Sequence, residues 1–71
     1  MKLHYDPQTD SLYIELQAGP GVETREIADG LNVDLDGEGH AAGIDVDAAS
    51  TRMDLSTLEA VGLPTEGTKV A

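Results

Sequence analysis

The chain has 71 residues, 14 acidic against 4 basic for a formal net charge of −10, and no cysteine, tryptophan or phenylalanine. One domain of this size buries only about 60% of its unfolded surface, and without cysteine neither a disulfide framework nor a thiolate metal site is available. The acidic balance argues against nucleic acid and anionic membranes, which need clustered Lys and Arg, but admits a basic protein partner or a divalent cation, and on its own serves solubility.

Residues 1–6 hold no apolar run of the kind a signal peptide needs. No stretch approaches the roughly 18 apolar residues of a membrane helix. A cytoplasmic location is the default expectation. Leu3 and Tyr5 alternate with Lys2 and His4, which predicts a first strand over 2–6. Pro7 fixes its own φ and keeps Asp6 out of the helical region, so a turn follows. Asp6 and Asp10 are placed to accept backbone hydrogen bonds in it. Leu12, Ile14 and Leu16 alternate with Tyr13, Glu15 and Gln17, a half-buried strand that closes an antiparallel hairpin.

Ala18-Gly19-Pro20-Gly21 is a loop by composition. Val22 and Ile27 differ in parity, so the next strand either bulges or starts after Val22. Asp29-Gly30 is a hairpin dipeptide. Leu31, Val33 and Leu35 then alternate with Asn32, Asp34 and Asp36. After Gly37-Glu38-Gly39, Ala42, Ile44 and Val46 alternate with Gly43, Asp45 and Asp47. A four-residue loop over 37–40 would pair Val33 with Ile44 and Leu35 with Ala42, all on one face.

From Ala48 the period changes. Met53, Leu55, Leu58, Val61 and Leu63 suit a short helix. Asp54 or Ser56 is its candidate cap, Ser56 with Glu59 matches a capping box, and Gly62 and Pro64 end it. The expected fold is therefore α+β. A small antiparallel meander of four to five strands carries one short C-terminal helix on its apolar face. Tyr13, Glu15, Asn32, Asp34, Asp45 and Asp47 occupy the other face. Residues 1–64 form a single domain, and 65–71, without pattern, are expected to be a mobile tail.

The hairpin Tyr5-Asp6-Pro7-x-Thr9-Asp10-x-Leu12-Tyr13-Ile14 resembles the opening of a small bacterial and archaeal family, the domain of unknown function DUF2283. The likeness continues at Glu23-Thr24-Arg25-Glu26-Ile27, at Val33-Asp34-Leu35-Asp36-Gly37-Glu38-Gly39 and at Gly43-Ile44-Asp45-Val46-Asp47-Ala48-Ala49-Ser50, and covers about 2–52. Asp45 stands where the family pattern has Glu. The resemblance implies a compact, mainly β domain with no assigned activity and no catalytic residues to carry over. Its size compares with antitoxin-like partners of small basic proteins.

Among possible sites, Asp34-x-Asp36-x-Glu38-Gly39-x₅-Asp45 has the spacing of a helix–loop–helix calcium loop. Alternating carboxylates around a glycine turn supply the oxygens calcium takes. The flanks alternate as strands rather than helices, and Asp45 is short for a bidentate final ligand. The plainer reading is turn chemistry. His4 and His40 read as surface histidines, with no nucleophile in a motif beside them. Asp6 and Asp10 read as turn acceptors rather than an acid–base pair. Tyr13, on the polar parity, marks a surface suited to dimer contact. The glycine pairs 19/21 and 37/39 lack the features of phosphate loops.

Two functional expectations follow. The first is a non-enzymatic protein-interaction module, antitoxin-like, that binds a basic protein partner or forms a homodimer. The second is a weak calcium-binding protein using Asp34, Asp36, Glu38 and Asp45.

Overall fold

A computed structural model describes residues 1–64; the expected mobile tail, 65–71, lies outside the described residues. Five strands form one antiparallel sheet: β1 (Lys2–Asp6), β2 (Ser11–Glu15), β3 (Glu23–Ala28), β4 (Leu31–Leu35) and β5 (Ala41–Val46). One helical turn follows, α1 (Ala49–Arg52). The fold is thus mostly β.

The order across the sheet is β1-β2-β5-β4-β3. This corrects the expected meander. The chain leaves β2, crosses to the far edge, and returns as β3-β4-β5, so that β5 pairs with β2 in the middle. The crossing spans three strand spacings, about 14 Å. The seven residues 16–22 reach about 23 Å when extended, so the link is geometrically easy. Burial gives the reason for the arrangement. Leu12 on β2 and Val46 on β5 are the most buried of the large strand side chains, and only the inner strands can bury them.

The register confirms the alternation. Leu3 faces Ile14, Tyr5 faces Leu12, Leu12 faces Val46, and Ile14 faces Ile44. Val33 pairs with Ile44 as expected, but Leu35 pairs with Ala41 because the ladder shifts after Asp34. Ala42 is the extra residue. Its carbonyl turns to accept from the N–H groups of Leu16 and Gln17 at the end of β2. The parity conflict of Val22 and Ile27 is resolved in both expected ways. β3 starts at Glu23, and the ladder bulges between Glu26 and Ala28, leaving Ile27 exposed.

The expected helix over Met53–Leu63 does not form. Asp54 instead accepts from the backbone N–H and the hydroxyl of Ser56 in a local turn. Such a turn competes with the first helical turn. A helix this short is marginal unless packing supports it, and Leu55, Leu58 and Val61 remain exposed. The helical turn that does form lies four residues earlier, with Ala49 fully buried. Its entry residue, Ala48, takes a left-handed φ of 50° and offers no side-chain cap.

The cap comes from the first hairpin. Asp10, itself left-handed at φ 55°, accepts from Ala49 N–H through its carbonyl at 2.9 Å. Its carboxylate accepts from the backbone N–H of Ser50 at 3.1 Å, from Ser50 Oγ at 2.7 Å and from Tyr5 Oη at 2.7 Å. The first two N–H groups of the helix start, which would otherwise be unpaired, are thus satisfied by a residue forty positions from Ser50. The core sits beneath this joint: Leu12, Val46 and Ala49, with Ile14, Leu31 and Ile44 against them. Burial of Leu12 or Val46 contributes roughly 2 kcal/mol.

The candidate site: an acidic sheet face around Tyr13

The register sets Asp6, Glu15, Glu26, Asp34 and Asp45 on the face opposite the core, with Lys2, His4, Tyr13, Thr24 and Asn32. Tyr13 lies across this face. It starts on β2, passes over β5, and its hydroxyl donates to Asp34 Oδ2 on β4 at 3.0 Å. Thr24 Oγ1 on β3 donates to the other oxygen of Asp34 at 2.6 Å. One network therefore joins residues of β2, β4 and β3 and spans β5.

Gly43 makes the crossing possible. A Cβ there would sit 2.0 Å from Tyr13 Oη and 2.3 Å from its ring carbon. No side chain fits between the ring and the β5 backbone. The sequence signal was an isolated glycine inside a strand pattern, which marks close approach of another group. What alternation does not provide is the identity of that group, because Tyr13 and Asp34 lie on non-adjacent strands.

The face is electrostatically crowded. Burial first, then the charges of Asp47 and Asp34, push the Asp45 carboxyl above its ordinary value. Burial, the hydrogen bond to Asp34 and the nearby carboxylates likewise raise the Tyr13 phenol. Among the described residues no Lys or Arg forms an ion pair with the carboxylate of Asp34, Asp45 or Asp47; Arg52 Nε donates instead to the Asp47 carbonyl at 2.8 Å. His4 borders the face, 3.6 Å from Glu15 and with its ring 6.3 Å from that of Tyr13.

The four residues with calcium-loop spacing are not brought together. Asp34 holds Tyr13 and Thr24. Asp36 organises its own turn: Oδ1 accepts from the N–H groups of Glu38 and His40, each at 2.9 Å, and Oδ2 from Gln17 Nε2 at 2.8 Å. These donors hold its carboxyl below the ordinary range, the His40 N–H foremost. Glu38 is at the turn tip, its side chain 82% exposed. Asp45 shares the face with Asp34 alone of the set. Among the described residues no group of three or more His, Cys, Asp or Glu is arranged to hold a metal ion. His40 stays on the turn surface, 3.9 Å from Asp36 and 3.8 Å from Glu38. Asp6 caps the first turn by accepting from Gln8 N–H. Among the described residues no helix is long and apolar enough to cross a membrane.

No curated protein and no solved structure matches the chain. One family model matches residues 2–50, from the first strand through the turn that starts α1. That span holds the Tyr13 network, Gly43, the Asp10 joint and all five strands, so the chain belongs to the family described as protein of unknown function (DUF2283).

Proposed function

We propose that the domain is a non-enzymatic protein-interaction module whose acidic face docks a basic protein partner. One observation carries this reading: the register gathers Asp6, Glu15, Glu26, Asp34 and Asp45 on one face around Tyr13, and among the described residues none of these carboxylates is ion-paired to a Lys or Arg. A Lys or Arg from a partner removes that repulsion and gains a charge-assisted hydrogen bond. Tyr13, flat across the face and fixed by Asp34, offers a ring on which a guanidinium stacks. Small size and a net charge of −10 favour an antitoxin-like form of this role.

The test is titration of the isotope-labelled protein with an arginine-rich peptide, followed in backbone NMR spectra. Shifts should centre on Tyr13, Asp34, Asp45 and Asp47, and Asp34→Asn with Asp45→Asn should weaken binding at least tenfold. Glu59→Gln, which removes a charge elsewhere, should leave it within twofold. If Glu59→Gln weakens binding as much as the paired change, the attraction is generic net charge and the reading fails.

A further inference from the structure

We propose that the apolar face of the sheet is the interface of a homodimer, its occupant a second copy of this chain. The register places Leu3, Tyr5, Leu12, Ile14, Val33 and Ile44 on that face, yet Leu12 is the one of these that is buried. Leu3 and Tyr5 stay 40% and 46% exposed. Residues 53–58 run beside them without sealing the face. Met53, Leu55 and Leu58 are themselves exposed, and with Leu3, Tyr5 and Leu12 they line an open groove of about 540 Å³. Exposed apolar surface of this continuity marks an association site.

Three observations identify the occupant. Residues 65–71, Thr-Glu-Gly-Thr-Lys-Val-Ala, contain one large aliphatic side chain, Val70, and offer little apolar surface to cover the face. Charge is segregated between the faces. On the apolar side the strand positions carry Glu23 and Arg25, which pair with each other. Asp54 at the groove rim is taken up by Ser56. A cationic partner finds most of the carboxylates on the opposite face, and an anionic lipid surface is repelled by the net charge. A second copy brings a face equally low in charge, its Asp10 and Asp54 oxygens already held by Tyr5, Ser50 and Ser56. The two acidic faces then point outward, separated by two sheet layers about 10 Å apart and their side chains, beyond the roughly 8 Å screening length at physiological ionic strength. The area also suits a dimer. The molecule measures 32 × 29 × 19 Å, so the outline of its broad face, on the order of 900 Å², is an upper limit that still admits the ~800 Å² per partner of a stable interface.

Sedimentation velocity of the full chain from micromolar to millimolar concentration tests the proposal. The expected mass is twice 7.4 kDa. Leu3→Asp and Leu58→Asp, both at exposed positions, should halve it while the far-ultraviolet dichroism stays unchanged. Val22→Asp adds the same charge at a position 67% exposed whose parity is that of the acidic face, and should leave the dimer intact. Asp34→Asn with Asp45→Asn should leave it intact as well, which separates this interface from the basic-partner site. A single-chain mass of the unaltered protein at every concentration overturns the proposal, and needs no variant to fold. So does a dimer indifferent to both leucine changes, or one that Val22→Asp dissociates equally.

Discussion

Asp10 is the residue on which the two ends of the domain meet. It accepts from Tyr5, Ser50 and Ala49 while holding a left-handed backbone that most residues disfavour. Asn retains the shape, the turn preference and part of the acceptor capacity, whereas Ala loses all three. Thermal midpoints should therefore fall in the order wild type, Asp10→Asn, Asp10→Ala; an Ala variant that melts with the wild type would show that the joint holds nothing. The Ser50 hydroxyl first, then Tyr5, hold the Asp10 carboxyl below the ordinary 3.8. A lowered folded-state value means stability that is present above pH 3.8 and lost as pH falls below it. That part of the acid-side slope should be absent in Asp10→Asn. The neighbouring strain at Ala48 makes an opposite prediction. A left-handed alanine costs about 1–2 kcal/mol, and the extra unfolded-state freedom of glycine costs about 0.4–1 kcal/mol. Ala48→Gly should stabilise the domain by about 0.5–1 kcal/mol in urea unfolding. A loss of stability would mean that the alanine methyl packs usefully.

At the scale of elements, the acidic face depends on Tyr13 crossing β5 at Gly43 to reach β4. Gly43→Ala forces the ring aside and breaks the bond to Asp34, at a cost of about 1–2 kcal/mol. Tyr13→Ala also loses that bond, along with the contact area of the ring over β5. Once the tyrosine is gone, the alanine at 43 has nothing to displace. The double variant should therefore be more stable than the sum of the single changes by about 1 kcal/mol, the coupling expected of groups in direct contact. Strict additivity would show that the ring does not lie over Gly43 in solution. Four of the strands were legible because alternation fixes their parity, with Leu3/Tyr5, Leu12/Ile14, Leu31/Val33 and Ile44/Val46 on one face; β3, where the apolar Val22 and Ile27 clash in parity, was legible only from the turn signals that flank it. Strand order was not legible. Alternation says which face a residue takes and nothing about which strand lies beside it, so the β2–β5 pairing was missed. The helix was misplaced for a related reason. Leu55, Leu58 and Val61 have helical spacing, but spacing does not weigh Asp54 against a helix start. Nor does it reveal that Asp10, far away in sequence, caps Ala49–Arg52. Much of the calcium-loop spacing over 34–45 coincides with local turn chemistry, since Asp36 accepts the turn N–H groups and Gly39 takes the left-handed φ of 83° the turn uses.

At the scale of the whole molecule, the crowding of like charge bears on stability. Carboxylates crowd a body 32 × 29 × 19 Å across. At about 0.01 M salt the screening length of about 30 Å lets nearly all of them interact, and at about 0.15 M it falls to about 8 Å. Self-repulsion destabilises the compact state. Adding sodium chloride over that range should therefore stabilise the domain on the order of 1 kcal/mol, a rise of about 4–8 °C in the midpoint. Asp45 gives this general effect a specific signature. Its folded-state value is raised, by burial first and then by Asp47 and Asp34. The sign is opposite to that of Asp10. The folded state takes up the Asp45 proton more readily than the unfolded chain, so the penalty is present at neutral pH. It is relieved as pH falls toward and through the folded-state value. Asp45→Asn should thus be more stable than the wild type at pH 7, and the difference should shrink as the solution is acidified through the carboxylate range. Below 3.8 both proteins lose the contributions of Asp10 and Asp36, whose values are lowered. The wild type should accordingly show a stability maximum on the acid side of neutrality that is flatter in Asp45→Asn. Paired denaturant curves at a series of pH values measure this directly. If Asp45→Asn is less stable at pH 7, the Asp45 carboxylate is a structural acceptor rather than a crowded charge awaiting a partner.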